Sequence, residues 1–526
     1  MEQWKKTALL GSLVPLALAA RGMCERCVVE SARRLPIARE VDVLVVGGNS
    51  AGVAAAITAQ QRGSRACIIS PQGYFPYEVC ATRRHWLGPN EKPESERAIE
   101  FFGNRRNADG YMVIEHPGSL KKKYDNALME AGVLFYLNCY PVGIVEDGNG
   151  KLAGIVMTNK AGRQVVLAKV LIDATSMAGV ARLAGAEMTA RYQGAVSVAR
   201  TAQVNGDDRG YSGYKTYTSS LTMNTGAWAE RCRAEMALRA QHDTRTAGWA
   251  ADYMHIIEQS AIAGRATDHS SPWDGAKTMD LDCCRPKNVD YLFVTGTAAS
   301  LSRANAEKLH RPLALLDLGE RVGAAAHSEA NSRGSLSSLR IRTAAGTGMV
   351  SGVDTKELLE GHRPGWSFEK IDQATTHIPV WGEYDVVVAG GGTAGAPAAI
   401  SAARAGANVL VIEMLGLLGG TSTNGIGKYW KGYRKGFTLE TANGRSRWKS
   451  CEKADWLFDQ INEKNGEVWF NTFVCGAVLE GNIVRGVVVA TPMGRGVVLA
   501  KRVIDATGDG DVCAHAGAQY IYMVNE

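Results

Sequence analysis

At 526 residues the chain is long enough for two or three domains with sizeable cores. An apolar fraction of 45% and a charged fraction of 21% are ordinary for a globular protein and exclude a disordered or fibrous chain. A net charge of +6 is mild for this length; it points weakly to an anionic ligand and makes no case for nucleic acid.

The chain opens like a targeting segment. Lys5 and Lys6 form a basic start, and an apolar stretch runs from Thr7 to the small residues Ala17, Ala19 and Ala20. Residues 1–20 are therefore expected to be a signal peptide that exports the chain to the periplasm or outside the cell, leaving no membrane span in the mature protein. The plainer alternative is an uncleaved apolar anchor. Cys24 and Cys27 make a lone CxxC, and no second pair stands at metal spacing, so no metal site is expected. Cys67 and Cys475 lie in apolar runs and read as buried, inert thiols.

A strand is predicted at Val41–Val46, followed by the turn Gly47-Gly48-Asn49-Ser50-Ala51-Gly52 and an alanine-rich helix. The same pattern returns at Tyr384–Gly395 with a constant offset: Asp42 answers to Asp385, Gly52 to Gly395 and Ser70 to Glu413. Further on, Val170–Thr175 matches Arg502–Thr507. Each is preceded by a helix-like stretch and a glycine-punctuated hairpin, turning at Asp147–Gly150 and Glu480–Asn482. This predicts an α/β chain with two tandem dinucleotide-binding Rossmann units. The first covers 36–187, with a helical cap insert at 188–287 and a closing strand and helix at 288–335. Residues 336–382 read as a linker, and 383–526 as the second unit.

The second unit carries G-x-G-x-x-G at Gly390, Gly392 and Gly395, between an apolar strand and a helix that opens at Thr393 and Ala394. Gly390 permits the tight turn, Gly392 lets a pyrophosphate approach the backbone, and Gly395 lets helix and strand pack closely. The helix N-terminus offers free N–H groups to phosphates. Glu413, at the end of the next strand, stands where an acid binds ribose hydroxyls; an acid there favours FAD or NAD over NADP. Its bland reading is a solvated strand end.

Gly416-Leu417-Leu418-Gly419-Gly420-Thr421-Ser422-Thr423-Asn424-Gly425, followed later by Asp505-Ala506-Thr507-Gly508-Asp509-Gly510-Asp511, resembles the FAD-dependent oxidoreductase family related to the flavin subunit of heterodisulfide reductase. The resemblance spans both units. It implies noncovalent FAD in a glutathione-reductase-like, three-layer ββα Rossmann fold, a small organic substrate and an electron acceptor. It also implies that Gly419, Gly420 and Thr421 line the flavin-side phosphates, and that Ala506-Thr507-Gly508, with Asp509, runs beside the adenosine half. Some relatives carry iron–sulfur clusters, for which this chain has no cysteine run.

The first unit departs from this pattern. Asn49 replaces the middle glycine, Ser70 the acid and Ser176 the glycine after Ala-Thr, so weak or absent FAD binding is expected there. It keeps a closing segment, Tyr291–Gly296 and the helix Leu315–Ala326, that the second unit lacks. A longer parent chain, a partner that completes the second unit, or a degenerate non-catalytic exported protein would each account for this. The first is favoured because an exposed parallel sheet is hard to keep soluble. No catalytic residue is assigned. Lys428, Tyr429, Trp430, Lys431, Tyr433 and Arg434 are candidates for placing cations near a flavin, with a solvated basic loop as the plain alternative. His85, beside Arg83, Arg84 and Trp86, is a weaker acid–base candidate. His310-Arg311 precedes the closing helix, and His515 reads as packing.

Overall fold

A computed structural model of the chain describes residues 23–24, 26–103, 106, 110, 116–203, 214–223, 227–242, 244, 247, 249–270, 272–361, 367–424, 440 and 450–521. The targeting segment and Lys428–Arg434 lie outside these residues.

The first unit is built on a parallel sheet. Strand Arg33–Val46 pairs in parallel with Ala66–Ile69 on one side and Gly162–Asp173 on the other; Leu134–Tyr136 and Leu292–Val294 extend it outward. Val43, Leu44, Val45 and Val46 are fully buried, as an interior parallel strand requires. Alternate residues enter two cores. Val43 and Val45 face the helices, while Leu44 and Val46 face the opposite layer. Helix Ser50–Gln61 is rich in alanine, so helix Pro312–Ser332 can lie directly on it. A Cβ on Gly319 would stand 2.3 Å from the Ala51 carbonyl oxygen, and one on Gly323 2.4 Å from that of Ala55.

The second unit repeats this layout around strand Thr376–Ala389, which pairs in parallel with Val409–Ile412 and Gly494–Asp505. The antiparallel meanders match in detail. Tyr140–Glu146 and Phe473–Glu480 each slip register at the same place, between Pro141 and Gly143 and between Val474 and Gly476. The two meanders share one core, in which Tyr140 and Phe473, at corresponding positions, stack with centroids 5.7 Å apart and planes 5° apart.

The structure departs from the sequence expectation in two places. Residues 336–382 are not an irregular linker. Met349–Lys356 pairs with Cys27–Glu30 and with the second meander, and Lys370–Gln373 pairs with Arg33–Pro36. Their partners are remote in sequence, so local alternation does not betray them. The insert at 188–287 is less helical than expected. Helix Trp228–Gln241 is accompanied by a four-stranded sheet around Val196–Gln203 and a two-stranded pair. Its strand Tyr214–Leu221 is rich in Ser, Thr and Lys and half-exposed, hence its weak apolar signal.

Strand Cys27–Glu30 also pairs antiparallel with Thr376–Pro379, closing six strands of the second sheet into a ring. At its end Glu30, fully buried, meets cations from both units. Arg163 Nη2 lies 3.0 Å from Oε2, Arg495 Nη1 donates to Oε1 at 2.7 Å, and Gln373 Nε2 donates to Oε2 at 2.7 Å. Arg163 Nε also donates to Glu357 at 2.8 Å. Burial would raise the Glu30 carboxyl, but Arg163, Arg495 and Arg33 outweigh it and hold it well below the ordinary carboxylate range.

Candidate functional site

The second unit's glycine turn forms a backbone cradle. Gly390 has φ +95°, and a Cβ there would stand 2.4 Å from the Ala506 carbonyl oxygen, so strand end and turn touch backbone to backbone. Gly392 is open; its nearest neighbour in Cβ space is Gly420 Cα at 3.9 Å. The helix Gly395–Arg404 begins at Ala394 without a side-chain cap, leaving its first N–H groups for a ligand.

Beside this turn lies a cavity of about 320 Å³. Gly390, Gly392, Glu413, Gly420 and Thr421 line it, so the structure brings these predicted residues together. Thr393, Ala394, Gly395, Gly419, Gly508 and Asp509 are not among its lining. Thr393 Oγ1 donates to the Gly419 carbonyl at 3.3 Å and ties the two turns together. Asp509 is drawn to Lys160.

Glu413 is buried, not a solvated strand end. Gly391 N donates to its Oε2 and Leu415 N to its Oε1, each at 2.8 Å. Burial pushes its carboxyl up to about 7, against the pull of these backbone N–H groups. Sequence reasoning missed Lys160, which reaches this cavity from the first unit's hairpin and also lies 3.1 Å from Asp511. It missed the Thr472–Val474 wall as well. Lys160 lies in the other unit, and nothing near Thr472–Val474 in sequence announces a site.

The corresponding groove of the first unit is filled from within. Asn49 Oδ1 accepts from Gly52 N at 2.7 Å, capping helix Ser50–Gln61. Ser50 N donates to Glu78 Oε1 at 3.2 Å, and Ser50 Oγ also donates to this carboxylate. A protein carboxylate thus stands where the second unit offers bare N–H groups. Burial pushes Glu78 up to about 7. Tyr77 takes the place of Gly420 and is almost completely buried. A cavity of about 80 Å³ lies between this unit and the insert, lined in part by Tyr77, Ser176, Arg231, Glu258 and His310.

His85 is buried with its ring edge-on to Tyr214 at 4.4 Å. His310 stacks on His255 at 5.2 Å, and burial with Arg84 and Arg311 nearby pushes it down to about 3, so it is neutral. His515 is buried, and its Nδ1 accepts from Leu358 N at 3.2 Å. Burial drives the thiols of Cys67 and Cys475 up to about 12, in keeping with inert packing.

The profile of the family described as FAD dependent oxidoreductase matches residues 42–310 and 385–523, spanning both units. The chain belongs to this family. Its cofactor is FAD, for which the open glycine cradle, uncapped helix start and buried acid are suited. Solved structures similar to it include a geranylgeranyl bacteriochlorophyll reductase-like protein of Thermoplasma acidophilum (17% identity, 56% of this chain and 79% of that one, TM-score 0.34). THI4 of Thermovibrio ammonificans (14%, 56% and 90%, 0.32) and the p-nitrophenol 4-monooxygenase PnpA of Pseudomonas putida (13%, 56% and 82%, 0.33) are two more. A search of curated proteins found no match. Among the described residues no helix is long and apolar enough to cross a membrane.

Proposed function

We propose that the chain is an FAD-dependent oxidoreductase of a small organic molecule that holds one FAD, in the second unit, and passes electrons to a separate acceptor. The observation that carries this is the contrast between the two grooves: the second is open backbone beside a cavity, and the first is occupied by Asn49, Tyr77 and Glu78. Gly390, Gly392, Gly420 and Thr421, with the N–H groups after Thr393 and Ala394, receive the pyrophosphate. Gly395 and Gly419 set the backbone geometry of that cradle. Glu413 accepts from ribose hydroxyls, and Gly508 and Asp509 flank the adenosine side. Lys160 adds positive charge from the first unit. Bound FAD supplies the redox chemistry through its ring.

The matched register slips and stacked Tyr140 and Phe473 support an origin of the two units by duplication. The basic, apolar start supports export. The self-filled first groove gives the degenerate, non-catalytic reading its one foothold, limited to that unit.

Flavin content of the purified chain, released by denaturation, tests the proposal. One FAD per chain is expected, lost in Gly392→Asp with the circular dichroism spectrum unchanged. Full flavin retention in that variant, or two FAD per wild-type chain, overturns the assignment.

A further inference from the structure

Arg200, on the insert strand Val196–Gln203, is only 1% exposed. Its Nε and Nη2 are buried without a hydrogen-bond partner. A guanidinium stays charged in proteins and carries donors only. Burying such a group unpaired is among the costliest arrangements a fold can hold, and native structures avoid it or fill it with water or an ion.

The surroundings indicate which. Arg239 follows on helix Trp228–Gln241, its guanidinium 4.0 Å over the Phe470 ring. Arg83, from the segment after the first unit's groove, has a buried Nε without a partner and lies 5.3 Å over the Trp249 ring. His242 is buried, stacks on Tyr217 at 4.7 Å, and leaves Nδ1 without a partner. Lys215 Nζ sits 4.5 Å over the same Tyr217 ring. The acids close enough to act on Arg200, Glu235 and Asp455, have partners of their own. Glu235 accepts from Arg239 Nε at 2.9 Å, and Asp455 accepts from Thr244 Oγ1 at 2.5 Å. Arg200 and Arg83 both act on the buried thiol of Cys451, in the first turn of helix Ser450–Asn462. Around Arg200 the described side chains therefore carry more cations than acids and offer few free acceptors.

We infer that an oxyanion, a carboxylate or phosphate group of a small molecule, binds on the unpartnered guanidinium edge of Arg200 with Arg83 beside it. The planar fork suits either group in a bidentate pair. Two positions along the same helix, Lys453 Nζ donates to Ser422 Oγ at 2.9 Å, next to Thr421. The anion site and the glycine cradle thus share one helix, although the inference does not depend on how FAD is held.

The test is thermal unfolding of the full, FAD-loaded chain at constant ionic strength in chloride, inorganic phosphate or succinate. Wild type is expected to gain several degrees in phosphate, in succinate or in both. Phosphate alone identifies a phosphoryl ligand, and succinate alone a carboxylate. Arg200→Met, which keeps the volume without the charge, is expected to lose the gain and to be no less stable than wild type in chloride. No shift in wild type, or an equal shift in Arg200→Met, overturns the inference. Should Arg200→Met not fold, Arg200→Lys keeps the charge without the fork and should weaken anion binding more than about tenfold; an unchanged Kd overturns it. Flavin content measured on each preparation separates loss of the anion from loss of the cofactor.

Discussion

Replacing Glu30 with Gln preserves the shape of a fully buried side chain and removes its charge. In the wild type, Glu30 and Glu357 face Arg163, Arg495 and Arg33, three cations against two anions. The substitution leaves three cations against one. Arg163 keeps Glu357, but Arg495 loses its carboxylate partner and is only 10% exposed at its side chain. Breaking a buried pair on one side costs about 3–5 kcal/mol. Since Glu357 still compensates Arg163, a loss of about 3 kcal/mol is expected. Urea unfolding monitored by tryptophan fluorescence reads it directly, with the wild-type slope as control. Arg495→Gln added to Glu30→Gln should recover part of the loss, because the stranded charge goes with it. A loss below about 1 kcal/mol, or no recovery in the double variant, would show that water or rearrangement already screens the cluster. The pH sign follows from the depressed carboxyl. Its contribution is present above the unfolded value near 4.5 and is lost as pH falls through the folded one.

Glu78 and Glu413 act in the opposite direction, since burial raises both to about 7. Each favours the folded flavin-free chain below the unfolded value near 4.5, and that advantage is lost as pH rises through about 7, on the order of 3 kcal/mol each. Unfolding free energy of the flavin-free protein should decline from about pH 5 to 8, and Glu78→Gln should flatten the decline; an unchanged slope counts against the buried, protonated state. Lys160→Ala should weaken FAD binding by a few-fold up to about tenfold, and the difference should shrink at high salt, as for a partly exposed charge. Fluorescence titration with FAD checks this; equal affinity at low salt removes Lys160 from the site.

What was legible in the sequence was what is local. Gly390, Gly392 and Gly395 follow a buried strand and open a helix within a dozen residues, and each has a steric reason that one glycine can satisfy. Glu413 is found by its place at the next strand end, although only the structure shows it buried on Gly391 and Leu415. The departures of the first unit from the fingerprint were visible at Asn49 and Ser70. The means of filling, Tyr77 and Glu78 folding back onto Ser50, needed three dimensions. Lys160 and Arg200 were invisible because each acts on residues hundreds of positions away. Met349–Lys356 and Lys370–Gln373 were missed for the same reason, since the strands that pair with them are remote in sequence.

The pairing of Cys27–Glu30 with Thr376–Pro379 has a consequence for synthesis. The ring around the second unit cannot close until the ribosome has passed Asp505, yet one of its staves, Cys27–Glu30, is made long before. During translation that strand must wait, with Cys27 and Val28 uncovered, while the first unit assembles beside it. An expression trial that starts the second unit on its own at residue 383 would omit this stave and the one from Met349–Lys356, and should yield an open, sticky sheet in place of an independent domain.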